Sequence, residues 1–242
     1  MTDIKARESK WQEQDDGERT AADTLSEQAA SLVEQDILAG RWKPEMRLGI
    51  HALSAHYGIG ATPLREGLSR LVSKGLISVV GQRGFRVASV SRADLEDITN
   101  LRKLIEAEAL RLSMQKGDDA WEAGILAALH RLRRNVENNP EQMQDGNPEF
   151  DTLHKAFHRS LIAACGSERM LALHDSLYLQ AYRYRRAMMG AIREKSWFLW
   201  EHQELADLAI ARDEETVVAR LSAHLHHTLD VVYDSGQANT VK

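Results

Sequence analysis

The stretch from Ile50 to Val87 limits this chain more than any other: two short helical patterns meet at a glycine-rich turn and give way at once to a strand pattern. Ile50 to Tyr57 has helical periodicity and stops at Gly58. Gly58-Ile59-Gly60-Ala61 makes the turn, and Thr62-Pro63 opens a second helix, with Thr62 as N-cap and Pro63 as first helical residue. Leu64, Leu68, Leu71 and Val72 form its buried stripe, which leaves Arg65, Ser69 and Arg70 outward, and Gly75 ends it. Ile77 to Val80 and Phe85 to Ala88 flank Gly81-Gln82-Arg83-Gly84 and read as a β-hairpin. An earlier helix follows the period of Leu25, Ala29, Leu32, Val33 and Ile37, stops at Gly40, and leads into a turn at Trp42-Lys43-Pro44. Three helices and a small hairpin are the parts of a winged helix-turn-helix, whose second paired helix enters the major groove of double-stranded DNA. The candidate DNA contacts are Thr62, Arg65 and Arg70 on that helix, and Arg83, Gly84 and Arg86 on the hairpin.

From Ser91 onward the strand signals vanish. Leu95, Ile98, Leu101, Ile105 and Leu112 mark a long helix, a second spans about residues 120–136, and further helices span about 149–165, 168–193, 196–212 and 214–234. Asp213 is a candidate N-cap for the last of these. The expected fold is therefore mainly α. Residues 1–23 form a disordered tail, 24–90 the winged helix, 91–235 an all-helical bundle for effector binding and dimerisation, and 236–242 a second tail.

The formal net charge of −5 argues at first sight against a nucleic-acid partner. Its distribution argues the other way. Residues 24–90 hold 8 basic and 5 acidic residues, whereas residues 91–242 hold 19 basic and 24 acidic ones. A single cysteine, Cys165, excludes an intrachain disulfide and fits a reducing, cytoplasmic compartment. No apolar run is long enough to span a membrane, so a membrane partner is not expected.

The helical region is rich in histidine. His154 and His158 lie four apart, so their imidazoles share one helix face, a spacing that can chelate one ion. Lys155 stands where a zinc peptidase would place its catalytic Glu, which argues against that chemistry. Helices joined by a short loop at Asp213 run antiparallel, which can bring His202 and His224 together in the bundle core. Neutral imidazoles suit zinc, nickel or a related divalent ion. His226 and His227 point elsewhere and are expected to be solvated. His51, His56, His130 and His174 are expected to be surface or partly buried polar groups.

The residues Ile37-Leu38-Ala39-Gly40, Pro44, Leu48, Gly58 through Leu68, Leu71, Gly75-Leu76 and Arg83-Gly84-Phe85-Arg86-Val87 resemble a GntR-type winged helix. The family commonly has Ser-Arg where this chain has Gly60-Ala61, so one usual DNA-contacting arginine is absent. His51 stands where the family often presents Arg or another polar group, which adds it to the candidate DNA contacts. Leu101-Arg102 with Ile105-Glu106, Phe157-His158-Arg159, Glu201-His202, and Asp213 leading to Ala219 and His224-Leu225 resemble the FCD effector domain of FadR-type members of that family. In its metal-binding members an Asp four residues before the Phe-His histidine joins three histidines around the ion. That resemblance implies His154, His158, His202 and His224 as ligands, with His154 in the Asp position. Either His replaces Asp as a ligand and favours a borderline metal, or His154 stands aside.

Phe157-His158, Ala163-Ala164-Cys165-Gly166-Ser167 and Tyr182-Arg183-Tyr184-Arg185 are also similar to regulators of glutarate and carbon-starvation metabolism. This implies a small carboxylate or dicarboxylate effector, with Arg102 as anchor and Arg183, Tyr184 and Arg185 as further candidates. The expected function is a homodimeric, DNA-binding transcriptional repressor of the GntR family that responds to such an effector, and not an enzyme. A metal-responsive regulator is the alternative. A metal-dependent hydrolase would need a base, for which only Glu201 and Glu204 are placed.

Overall fold

The structure, a computed structural model, describes residues 24–81, 84–140, 148–188 and 194–234. Arg83, the side chain of Arg185 and the two tails lie outside the described residues. The chain divides into two compact units, Met1–Ser89 and Val90–Lys242.

In the first unit, helix α1 spans 24–38. Strand β1 (Arg47–Leu48), helices α2 (Ile50–Tyr57) and α3 (Ala61–Ser73), and strands β2 (Ile77–Val80) and β3 (Gly84–Val87) follow. The expected hairpin is present, but it belongs to a three-stranded antiparallel sheet of order β1-β3-β2. A two-residue strand is too short to show alternation, so the sequence offered no sign of β1. One sheet face is apolar and closes the core: Leu48, Ile77 and Val87 are buried, as are Ala29, Val33, Leu53, Leu64, Leu68 and Leu71 of the helices.

Two glycines decide how the helices meet. Gly58 ends α2 in the left-handed region at φ 68°, where a Cβ would be strained, and so opens the turn to α3. Gly67 lies where α3 passes against α1: a Cβ there would stand 2.7 Å from the Ser26 carbonyl oxygen and 2.8 Å from the Ala30 nitrogen. At the other end of α1, buried Asp36 accepts a hydrogen bond from the Tyr57 hydroxyl (2.7 Å), which in turn accepts from Trp42 Nε1 (2.8 Å). This knot fixes the end of α2, and with it the start of the turn.

The second unit is helical among the described residues: α4 (Arg92–Lys116), α5 (Asp119–Asn138), α6 (Pro148–Leu161), α7 (Glu168–Met188), α8 (Lys195–Ile210) and α9 (Glu214–Asp234). Side-chain caps fix three starts: Ser91 accepts from the Asp94 amide, Asp118 from the Trp121 amide and Asp213 from the Thr216 amide. Helix α4 packs on α7 and α9, α5 on α6 and α8, and α8 on α9. The main core runs from Ala109 and Leu110 through Trp121, Leu132, Phe150 and Phe157 to Leu221 and Leu225. Among the described residues, no helix is long and apolar enough to cross a membrane.

Candidate functional site

The first unit presents its candidate DNA contacts on α2, α3 and β3. His51 is exposed on the first turn of α2. Thr62 and Arg65 are exposed in the opening turns of α3. That helix starts one residue earlier than expected: Gly60 is the N-cap, no side chain caps the helix, and Thr62 lies inside the first turn. The extended backbone of Gly60 brings Ala61 into helical geometry, which removes the capping role from Thr62 and leaves its hydroxyl exposed. Arg70, at the far end of α3, is tied to α1, 3.6 Å from Glu27 and 3.4 Å from the Ser26 hydroxyl. Gly84 opens β3, and Arg86 pairs with Arg47 on one side and Ser78 on the other.

The second unit gathers the histidines. His154 and His158 of α6, His202 of α8 and His224 of α9 bring one ligand nitrogen each within 4.8 Å of all the others. His154, His158 and His202 are buried and His224 nearly so. The outer nitrogens show how the rings are aimed. His202 Nδ1 donates to the Phe198 carbonyl at 2.7 Å, and His224 Nδ1 donates to the Glu201 carboxylate at 2.9 Å. Both acceptors can only accept, so each ring carries its proton on Nδ1 and its lone pair on Nε2. His154 Nδ1 meets the Tyr178 hydroxyl at 2.6 Å. His158 Nε2 lies 3.2 Å from both His154 Nε2 and His224 Nε2.

This donor set fits a divalent ion. Two nitrogens each about 2.0–2.1 Å from one tetrahedral ion stand about 3.3–3.4 Å apart, close to the 3.2 Å that separates His158 from His154 and from His224. Burial, then the neighbouring His224 and His202, push the His158 imidazole well below its usual range, which keeps it neutral and able to ligate. Outer partners on Nδ1 hold the rings of His154, His202 and His224, as in a histidine metal site, whereas His158 Nδ1 has no hydrogen-bond partner among the described residues.

Beside the histidines lies a second buried group. Arg102 Nε donates to Glu106 at 2.7 Å, one turn along α4, and both are almost completely buried. Burial alone would raise Glu106, but the charge of Arg102 and the imidazole of His174 outweigh it and hold the carboxyl at about 2. His174 corrects the expectation of a surface or partly buried role, for it has no exposed surface. Its Nδ1 is 3.2 Å from Glu106, and its Nε2 has no hydrogen-bond partner among the described residues. Sequence reasoning missed it, although His174 and Tyr178 share the same four-residue spacing as His154 and His158. Tyr178 is the wall common to both groups. Its ring lies 6.0 Å from His154, 6.4 Å from His158 and 5.9 Å from His174, and the Arg102 guanidinium stands 5.3 Å over it.

Arg183 and Tyr184 sit elsewhere. The Tyr184 hydroxyl donates to Asp94 at 2.5 Å and accepts from the Ser91 amide at 3.0 Å, while Arg183 reaches the same Asp94 at 3.5 Å. They tie α7 to the first turn of α4, and Tyr184 packs with Leu95, Ile98 and Leu229. The two carboxylates that a hydrolase would need are engaged, Glu201 with His224 and Glu204 with Arg220. Of the remaining histidines, His51, His56 and His130 are exposed, His226 lies near Asp230, and His227 packs by Trp197.

Comparison with known proteins agrees with this division. Residues 25–87 match the gntR family of bacterial regulatory proteins, and residues 97–227 match the FCD domain. The HTH-type transcriptional repressor GlaR of Escherichia coli (strain K12) is 34% identical over 212 residues, covering 86% of this chain and 95% of GlaR. The HTH-type transcriptional regulator BphR of Paraburkholderia xenovorans (strain LB400) is 34% identical over 213 residues, covering 88% of this chain and 87% of BphR. Among solved structures, E. coli McbR/YncC superposes with a TM-score of 0.71 at 20% identity over 87% of this chain and 98% of that one, a likeness of fold. A winged helix followed by an FCD domain that fills more than half of the sequence places this protein in the GntR family of bacterial transcriptional regulators, in its FadR-type, FCD-bearing branch.

Proposed function

We propose that the protein is a homodimeric repressor that binds operator DNA through α3 and the wing, and that a small carboxylate, glutarate-like in size, controls this binding from the second unit. The repressor reading follows the similarity to GlaR. The carboxylate reading rests on one observation: four converging histidines and a buried arginine lie against one tyrosine, Tyr178. A divalent ion, zinc or nickel by the chemistry of its donors, would be held by His154, His158, His202 and His224, and would supply a cation to which a carboxylate oxygen binds. Arg102 then offers the guanidinium for the carboxylate at the other end, and His174 Nε2 a further polar contact. The Glu106 carboxylate orients Arg102 but takes only part of its donor fork. An effector shifts DNA affinity only by its differential affinity for two states of the protein, typically about 1–3 kcal/mol.

The test is a thermal-shift and calorimetric titration of the purified protein with acetate, succinate and glutarate, before and after chelation. A dicarboxylate should raise the midpoint by mass action, and His202→Ala and Arg102→Leu should each abolish that rise. A rise that survives both variants refutes the site. A metal-responsive regulator is the second reading, favoured because each of His154, His202 and His224 is already held on its outer nitrogen, so the site is complete without an effector. If chelation alone releases operator DNA and no carboxylate does so, that reading replaces the first.

A further inference from the structure

The outer face of the small sheet carries charge that no described residue of its unit neutralises. Arg47 of β1 and Arg86 of β3 are direct antiparallel partners, and Ser78 of β2 is the partner of Arg86 on its other side. Directly paired residues project from the same side of a sheet. The three therefore form one row across all three strands, opposite the apolar face of Leu48, Ile77 and Val87. Arg47 and Ser78 are exposed and Arg86 is partly so. Among the described residues, neither guanidinium has a hydrogen bond or a carboxylate within ion-pair distance. Like charges set directly opposite each other weaken a sheet. An apolar or mixed-charge pair would hold these strands better, so the pair suits a polyanion rather than the fold.

Its place in the unit names that polyanion. Arg47 lies three residues before Ile50, where α2 begins, and Arg86 lies two residues after Gly84, where β3 leaves the hairpin tip. The row thus lies on the strand that leads into the helix-turn-helix and on a strand of the wing, within a module that binds DNA. We propose that Arg47 and Arg86 form a phosphate clamp on the operator backbone, with the Ser78 hydroxyl as a neighbouring donor. The planar fork of each guanidinium matches a phosphate bidentately, and the phosphate charge relieves the repulsion between the two arginines. The clamp adds affinity without reading bases, and it offsets the missing basic residue at Ala61.

The experiment uses the full-length protein and two DNA duplexes: one that the wild type selects from a random pool, and one of equal length with that sequence scrambled. Binding is followed by fluorescence anisotropy across a salt series. Arg47→Ala/Arg86→Ala should weaken both duplexes by the same factor, about tenfold or more. The plot of log affinity against log salt should become shallower by about 0.9 for each phosphate that is no longer neutralised. Arg65→Ala, by contrast, should weaken the selected duplex far more than the scrambled one. The double variant should melt no lower than wild type, because it removes a repulsion. Ser78→Asp, which places a carboxylate beside Arg86, should raise the midpoint and weaken both duplexes. Unchanged affinity and slope in the double variant overturn the clamp. So does a loss of DNA binding that comes with an equal loss of thermal stability.

Discussion

Two arginines of the first unit, Arg47 and Arg65, and Arg102 of the second are set in opposite ways. In the first, Arg47 and Arg65 are exposed, and no carboxylate among the described residues lies within ion-pair distance of either. In the second, Arg102 is buried against Glu106. An exposed guanidinium is cheap to keep and free to meet any phosphate. A buried one costs several kcal/mol of desolvation unless it is paired, and its pairing then fixes where it points. The first arrangement suits a long, uniform polyanion, and the second a small anion that must be distinguished from others. Two changes should break this contrast most sharply. Glu106→Gln leaves the Arg102 charge buried without its partner and should cost about 3–5 kcal/mol of stability, read as a shift in the urea midpoint of the second unit. The effect carries a pH signature. The folded carboxyl titrates at about 2, below its ordinary 4.5, so its contribution is complete above about 4.5 and drains away as pH falls toward 2. The gap between wild type and variant should narrow over that window, and a gap that stays constant to pH 3 would show that Glu106 acts through packing alone.

The second change belongs to the first unit. Gly67→Ala places a methyl 2.7 Å from the Ser26 carbonyl oxygen, where backbone must move to admit it. Overpacking of this kind should cost about 1–3 kcal/mol. Operator binding should fall with it, because α3 is displaced from α1, while the proposed zinc affinity of the second unit should stay as it was. A parallel loss of zinc affinity would show that the two units do not fold independently.

The same contrast explains what could be read in advance. The winged helix was legible because glycines, Pro63 and a change of apolar period mark its boundaries, and each acts locally. Strand β1 was not, since two residues cannot display alternation and Arg47–Leu48 becomes a strand only by pairing with Arg86 and Phe85. In the second unit the four-residue spacing of His154 and His158 is a local signal, and a short loop at Asp213 brings His202 near His224. His174 escaped because α7 carries large apolar residues on more than one face, with Leu171 buried and Leu173 exposed, and its packing against Glu106 of α4 shows which face is buried. Arg183 was placed beside Tyr184 by sequence alone; its reach to Asp94 at the start of α4 depends on a residue 89 positions away.

Outer partners of the proposed metal ligands sharpen the comparison further. Tyr178→Phe keeps the ring that lies under Arg102 but removes the hydroxyl that holds His154 Nδ1. Loss of such a partner should lower metal affinity by about 10–100-fold, measured by competition with a chromogenic chelator. An unchanged affinity would mean that His154 does not ligate and that three histidines hold the ion.

The smallest expected effect tests whether burial, rather than charge pairing as such, is what matters in the second unit. Glu201 and Glu204 lie one turn apart on α8, and each meets a cationic or proton-bearing group of α9: His224 for Glu201, Arg220 for Glu204. Their surroundings differ. The Glu201 and His224 side chains are 14% and 13% exposed, whereas those of Glu204 and Arg220 are 28% and 40% exposed. Water screens the second pair, so Glu204→Gln should cost less than about 1 kcal/mol and leave metal affinity unchanged. Glu201→Gln keeps the size of the side chain but removes the charge that makes the His224 ring a better donor, so it should weaken metal binding by about tenfold or more. Equal effects from the two variants would mean that α8 and α9 are held by general electrostatics. Unequal effects in the stated order would mean that α8 carries one glutamate for the ion and another for its neighbour helix.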